Sequence, residues 1–482
     1  MSTTAAAFKE NATEWLEKLG YPAVSLNTPL ASRISLWWSY MTCEADFFTR
    51  VERDENGKEN EVMLRSCTPA DMVCTDMASL LYNEKATVSL VDPDNEQEAT
   101  TWLENWMRVT SWNDKAPLAM KRMCSTGTAA WALHIRNATK VGQSDALSVI
   151  PIRYDARSIV PLVWDELGCS HCAFVSPIYI KGELCHQIEV HRPDDMTGNY
   201  QVFCGFFDSS GKQFEPEGFL QAYEALDTKQ QRPTFQIIRL AIDNPYWDYS
   251  PMGVALFDNA IGALETVDLA FDAVGNDIFL GKKMLVLPES MLKKNDFGTY
   301  EAPYMSGRQF FLATESSVYD GKAAIFEYNP DLRASDDRLM LSTALQMLGK
   351  RVGFGTKAYA LDQSGNITTA KQVASDNAEM MRTIRKHEHI IQPAISNLIE
   401  AAAGIYRTLG TASLPDLTGQ VQVVMGDAIM QDEDTLRERD RADVAAGLLE
   451  PWRYMVRWQG YTEEDAKAAT QVDTGLATPL EV

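Results

Sequence analysis

The chain has 482 residues, 67 acidic and 44 basic side chains, a formal net charge of −23, and a composition that is 45% hydrophobic and 23% charged. Such a chain can bury a large core in roughly two to four folding units. Its acidic balance excludes a nucleic-acid binder that relies on a broad basic footprint and counterion release, and no run of ~18 uncharged apolar residues offers a membrane span.

The first residues, MSTTAAAFKENATEW, lack the apolar segment of a secretory signal. Eight cysteines, mostly inside apolar runs, read as buried thiols in a reducing compartment. Residues 1–66 read as mainly helical, with Phe8, Trp15 and Leu19 marking a short first helix and Trp37, Trp38, Tyr40 and Phe47 a second over Ile34–Phe48. The charged run RDENGKEN at 53–60 is a turn or hairpin tip. Thr68-Pro69-Ala70-Asp71 predicts a helix start with Thr68 as N-cap, followed by a short strand at Ala86–Val91. Two helices follow at 97–109 and 113–129, after which the hydrophobic period changes to two. Strands are predicted at Ala130–Arg136, Leu147–Arg153, Cys172–Ile180, Glu183–His191, Tyr200–Phe207 and Phe235–Ala241. These elements make an α+β domain.

Pro251–Lys283 reads as one long amphipathic helix, about 50 Å at ~1.5 Å per residue. Ala260, Leu264, Val267, Phe271, Val274 and Ile278 recur at steps of four and three and form an apolar stripe. Asp258, Glu265, Asp268 and Asp272 form a second, acidic stripe. Met284–Pro330 then reads as a small β-rich insertion, Ser335–Gly349 as a helix, and GFGTKAYALDQSGN at 353–366 as a loop. A capping box at Thr369–Gln372 opens a helix to about Leu409, with Pro393 expected to kink it. The tail carries a strand at Val421–Met425 and charged helices at about 433–446, 451–458 and 462–471.

Three motifs invite chemistry. Cys169-Ser-His-Cys172 with Cys185-His186 supplies zinc-type ligands, but adjacent residues on a strand point to opposite faces, which favours packed thiols over a metal. Gly275-x5-Gly281-Lys282-Lys283 is one residue too long for a phosphate loop and ends a helix instead of opening one. His387-Glu-His389 lacks the spacing that places two ligands on one helix face. Arg382, Arg385, Lys386 and His387 form a basic patch, read either as a solvated or subunit-facing surface or as a contact to a nucleic-acid backbone. No nucleophile–base constellation is visible.

The segment from Asn244-Pro245 to Leu287, with SPMGVALFDNAIGALETVDLAFDAVGNDIFLGKKMLVLP, resembles the central part of portal proteins of tailed bacteriophages, in the group common in long-tailed phages of Gram-positive bacteria. GNITTAKQVASDNAEMMRTIRKHEHII at 365–391 is similar to that family's glycine-rich loop and following helix, with Lys371 and Gln372 departing from the commoner Thr-Glu. MASLLYNEKATVSL at 77–90 and AAGLLEPWRYMVRWQGYTEEDA at 445–466 are weaker matches in the same order.

The resemblance implies a portal fold assembled as a ring, usually a dodecamer, at one capsid vertex of the virion. The parts would be an α+β wing at 1–250, a first stem helix at 251–283, a clip at 284–333 and a second stem helix at 334–352. A tunnel loop at 353–368, a long kinked helix at 369–409 and a helical crown at 410–482 would complete it. The implied partners are further copies of the chain, double-stranded viral DNA, the terminase large subunit, a head–tail connector or adaptor, and the major capsid and scaffold proteins, with no membrane. Assembly would take place in the host bacterial cytoplasm. The chain is expected to be no enzyme, with no catalytic residue, cofactor or metal. Asp258, Glu265, Asp268 and Asp272 are expected to face the channel or a neighbouring subunit, and the apolar stripe to pack. Thr356, Lys357 and Tyr359 of the tunnel loop are expected to come nearest the DNA. The alternatives are another self-assembling virion component, such as a minor head protein, and a metal-dependent enzyme centred on Cys169, Cys172 and Cys185.

Overall fold

The computed structural model describes residues 12–22, 29–53, 57–91, 97–137, 147–216, 222–281, 333–361, 378–410, 414–426 and 433–471, with strand pieces between 284 and 328. The fold is mixed α+β. A short helix, α1 (12–18), precedes α2 (Ala31–Met41), and an antiparallel hairpin of β1 (Thr49–Arg53) and β2 (Glu59–Met63) carries the charged tip between them. Next come α3 (Pro69–Leu81), β3 (Thr87–Leu90), α4 (Gln97–Thr110) and α5 (Trp112–Thr126). Thr68 does not cap α3 through its side chain. It adopts a left-handed backbone with φ 52°, and its N–H is taken by Ser66 Oγ at 2.9 Å, so the segment turns sharply into Pro69 instead of entering by a capping box.

The strands between residues 128 and 239 form two sheets. In the first, β4 (Thr128–Arg136) lies between β5 (Ser148–Asp155) and β12 (Phe235–Arg239). In the second, β6 (Ile159–Asp165), β7 (Gly168–Ile180), β8 (Glu183–Pro193) and β9 (Tyr200–Phe207) run antiparallel in sequence order. The short β10 (Gln213–Phe214) and β11 (Tyr223–Asp227) both pair with β9. Strands β6, β10 and β11 were absent from the sequence reading. Register shifts interrupt the pairing of β6 with β7 and of β11 with β9, and irregular pairing blurs the alternation by which a strand is recognised.

The body is layered. Strand β4 is buried on both faces. Trp131 meets Trp112 of α5, with ring centroids 5.1 Å apart. The other face of the sheet meets the second sheet through Tyr154, Phe174, Phe235 and His191, whose rings lie 4.8–5.9 Å apart. Helix α1 covers the far side of the second sheet, where Leu16 packs with Val160, Ala173, Val190 and Phe203.

The segment expected as one helix from Pro251 to Lys283 is shorter. A single 3-10 turn at Asp258–Ala260 leads into α6 (Ile261–Leu280), about 30 Å at ~1.5 Å per residue. Residues 252–257 are buried irregular or turn backbone instead. Their polar groups are taken elsewhere: Gly253 N–H donates to Thr128 Oγ1 at 2.9 Å, Leu256 N–H to Cys124 O at 2.8 Å, and Asn244 Nδ2 to Met252 O at 2.9 Å. Gly253 and Gly127 cross closely, and a Cβ on Gly253 would stand 2.6 Å from Gly127 O.

Between α6 and α7 (Ala334–Arg351) lie short strands. Of these β13 (Met284–Pro288) pairs in parallel with β14 (Gln309–Ala313) and antiparallel with β15 (Phe326–Tyr328). Arg333, at the start of α7, grips Asp277 near the end of α6 through two bonds of 2.7 and 3.0 Å, so the helices run antiparallel. Helix α8 (Ala378–Leu409) continues through Pro393 and buries Ile384, Ile391, Ile395, Leu398, Ala402 and Ile405 at helical spacing. The capping box expected at 369–372 lies outside the described residues. The tail returns to the body, where β16 (Val421–Val424) pairs antiparallel with β3. Three helices, α9 (Glu433–Ala445), α10 (Pro451–Gln459) and α11 (Glu463–Gln471), follow close to their expected places.

Candidate functional site

The helix pair α6/α7, the loop after α7 and the first turns of α8 hold most of the residues singled out in the sequence. The four acids of the first helix are brought together, but against this chain's own N-terminal unit. Asp258 accepts from Arg33 Nη2 at 2.5 Å, Trp37 Nε1 at 2.8 Å and Tyr246 Oη at 2.9 Å. Glu265 accepts from Tyr40 Oη at 2.5 Å. Burial, reinforced by that carboxylate, pushes the Tyr40 hydroxyl well above the usual tyrosine range. Asp268 accepts from Ser66 Oγ at 2.8 Å and Cys67 N–H at 3.0 Å. Asp272 accepts from Arg65 N–H at 3.3 Å and lies 3.6 Å from Arg50.

Asp268 is 1% exposed and Asp272 8%. The stripe expected to face the channel or a neighbouring subunit runs, within the chain, along a seam between α6 and residues 33–67, where backbone N–H, hydroxyl and guanidinium donors meet the acids. Gly275 belongs to the same seam: a Cβ there would meet Arg65 Nη1 at 2.3 Å. Burial lifts the Asp268 carboxyl above its ordinary value despite its hydrogen bonds, and burial beside Asp268 pushes the Cys67 thiol up to about 11.

The apolar stripe divides. Ala260, Leu264 and Val267 are buried in the main core, Val274 is half-buried, and Phe271 and Ile278 are exposed at 37% and 61%. Exposed apolar side chains continue on the partner helix at Leu339, Met340 and Met347.

Within the loop, Thr356 and Lys357 are exposed. Tyr359 instead turns inward, donates to Asp76 Oδ2 of α3 at 2.6 Å and packs edge-on against Phe354. Burial, with Asp76 beside it, drives the Tyr359 hydroxyl far above its ordinary value. It anchors the root of the loop and is not among its exposed residues. Arg382, Arg385 and Lys386 lie exposed on the first turns of α8. Lys350 at the end of α7 reaches Glu379 of α8 at 2.7 Å, which brings the basic end of α7 alongside them. His387 departs from this patch: it is 2% exposed and accepts Ala241 N–H at 3.0 Å. Burial, with Lys386 adding to it, lowers its value to about 4.

The cysteine motif is spread out. Cys172 sits opposite His191 across β7 and β8, whereas Cys185 sits opposite Ile178 toward the other end of that hairpin, and the Cys169 thiol bonds to His171 O at 3.2 Å. Among the described residues no group of three or more His, Cys, Asp or Glu is arranged to hold a metal ion. Gly275 lies within α6 and Gly281 just past its end, a geometry that presents no helix N-terminus to a phosphate.

Sequence reasoning missed the N-terminal partners of the acids and a buried polar group between the sheets, formed by His134, Gln187, Glu189 and His191. The signal for the second was present: 187, 189 and 191 alternate on one face of a strand within a buried run.

No family model matches the chain, and no curated protein matches it. Among solved structures, a chain of the virion of a native gene transfer agent particle overlaps 80% of this chain and 87% of its own length, at 9% identity and a TM-score of 0.35. Agreement at that level does not establish a shared fold.

Proposed function

We propose that the chain is the subunit of a ring-shaped portal, a non-enzymatic virion protein through which double-stranded viral DNA passes at one capsid vertex. The observation that carries this reading is the excursion from Ile261 to Arg351. An antiparallel helix pair rooted in an α+β body is joined at its far end by a small β unit with both parallel and antiparallel pairing. Its position agrees with the stem and clip that the sequence resemblance assigns to the same residues. The loop following the second helix, with Thr356 and Lys357 exposed and Arg382, Arg385 and Lys386 close behind, is where the chain would come nearest DNA. A cationic surface of this kind offers phosphates a contact on an otherwise acidic molecule. Among the described residues no helix is long and apolar enough to cross a membrane.

On this reading the partners are further copies, usually to a dodecamer, the terminase large subunit, a head–tail adaptor, and the capsid and scaffold proteins, with assembly in the host bacterial cytoplasm. Negative-stain electron microscopy and native mass measurement of the purified chain test it. The expected result is a closed ring with a central hole. Particles without a hole, or a monomer at every concentration and ionic strength, would overturn it.

A further inference from the structure

Two of the body's sheets are held face to face by rings, yet the centre of their contact is polar. Glu189 of β8 is 1% exposed and His191 of the same strand is fully buried. Glu189 Oε1 contacts His134 Nδ1 of β4 in the opposite sheet and also accepts from Gln187 Nε2 at 2.8 Å. His191 Nδ1 lies 2.7 Å from Thr234 Oγ1, at the entry to β12, again in the opposite sheet. Two polar contacts therefore cross the sheet interface, and both end on neighbouring residues of one face of β8. On the other side of the same carboxylate, Glu189 Oε2 and His191 Nε2 stand 3.7 Å apart, and among the described residues neither has a hydrogen-bond partner.

The remaining titratable groups around this cluster are weakly acidic and uncharged. Cys204 of β9 is opposite Glu189 and 3.4 Å from Gln187 Nε2, and Tyr154 of β5 is bonded to Ser176. Cys172 of β7 lies across from His191. Burial holds the Cys204 and Tyr154 protons in place, assisted by the negative Glu189. Burial also opposes ionisation of Glu189, but the two imidazoles overcome it and hold the carboxyl far below the usual range. A carboxylate sealed in a core needs a counter-charge, and among the described residues the groups facing it that can supply one are the two histidines.

We propose that His134, Glu189 and His191 form a proton-dependent clasp between the two sheets. In its closed state the carboxylate shares the cluster with one imidazolium, and loss of that proton leaves the buried carboxylate without a counter-charge and loosens the sheets. Removal of the proton affects both crossing contacts together, since both converge on the Glu189–His191 side of β8. The unpartnered gap between Glu189 Oε2 and His191 Nε2 gives the cluster a second place for a proton, so the charge can shift between histidines without breaking the contact to His134.

Hydrogen exchange with mass readout of the peptides covering 128–136 and 183–193, corrected for intrinsic base catalysis, tests this on the full chain. In wild type, protection of both peptides should fall roughly tenfold from about pH 6.5 to about pH 9.5. In Glu189→Gln, which no longer requires a counter-charge, corrected protection should be flat. A flat wild-type profile, or a variant that follows wild type, would overturn the proposal. Should Glu189→Gln fail to fold, the wild-type profile alone still decides. The double substitution His134→Gln with His191→Gln then serves as the second variant: at about pH 6.5 it should already show the exposure that wild type reaches at about pH 9.5, and wild-type protection in it would also overturn the clasp.

Discussion

Two buried carboxylates in this chain respond to burial in opposite senses. Asp268 meets a hydroxyl and one backbone N–H, and burial wins: its native value is raised. Glu189 meets two imidazoles, and they win: its native value is depressed. The stability consequences are opposite. The contribution linked to Asp268 is fully present below the ordinary carboxylate value, about 3.9, and is lost as pH rises through the raised native value. The contribution linked to Glu189 is present above the ordinary glutamate value, about 4.3, and is lost as pH falls toward the depressed one. Asp268→Asn keeps an acceptor for Ser66 and Cys67 and has no proton to exchange. The stability advantage of wild type over this variant should therefore grow on acidification, as followed by thermal melts across the acid range. Asp268→Ala, which strands Cys67 N–H and Ser66 Oγ, should instead cost about 1–3 kcal/mol. Equal behaviour of the two variants would show that the acid does not organise the seam. None of this could be read from the stripe 258, 265, 268 and 272: helical spacing puts those residues on one face, but which donors meet them depends on residues about 200 positions away.

At the level of elements, local pattern was a good guide wherever the backbone bonded within a helix or in an unbroken ladder to the neighbouring strand. The alternation of β4, β5, β8 and β9 and the helical spacing of α4, α5 and α7 were legible for that reason. Residues 252–257 were not, because Met-Gly-Val-Ala-Leu-Phe has a helical composition but its backbone groups bond to β4, α5 and Asn244. Tertiary bonding of this kind overrides propensity. Two glycines in the region separate the effects. Gly253→Ala forces a Cβ to within 2.6 Å of Gly127 O, backbone against backbone, and should cost roughly 1–3 kcal/mol by the usual scale of overpacking. Gly262→Ala, exposed in the first turn of α6 with nothing within 4 Å of the new Cβ, should stabilise by up to about 1 kcal/mol. Chemical denaturation of the two variants beside wild type checks both signs. Matching changes would mean that the 252–257 segment is not held by the Gly127 crossing.

For the molecule as a whole, the question is what the α6/α7 pair does with the apolar surface it leaves uncovered. The inner end of the pair is settled within the chain: Ala260, Leu264 and Val267 enter the main core, and the acids bind the N-terminal unit. Along the pair, Leu269 is 43% exposed, Ile278 61%, Leu339 67%, Met340 49% and Met347 58%. Single exposed apolar side chains are ordinary, but several along one helix pair mark a surface that association would cover. An acidic chain opposes its own association through net charge, so the attraction that would close the proposed ring has to come from local surfaces such as this one. The double substitution Leu339→Lys with Met347→Lys places two cations on exposed positions without touching the seam. It should leave the secondary structure and melting of the subunit unchanged while abolishing rings in native mass spectra at concentrations where wild type assembles. A variant that still closes into rings would move the subunit contact away from the helix pair, and one that unfolds would show that these side chains serve the subunit's own core.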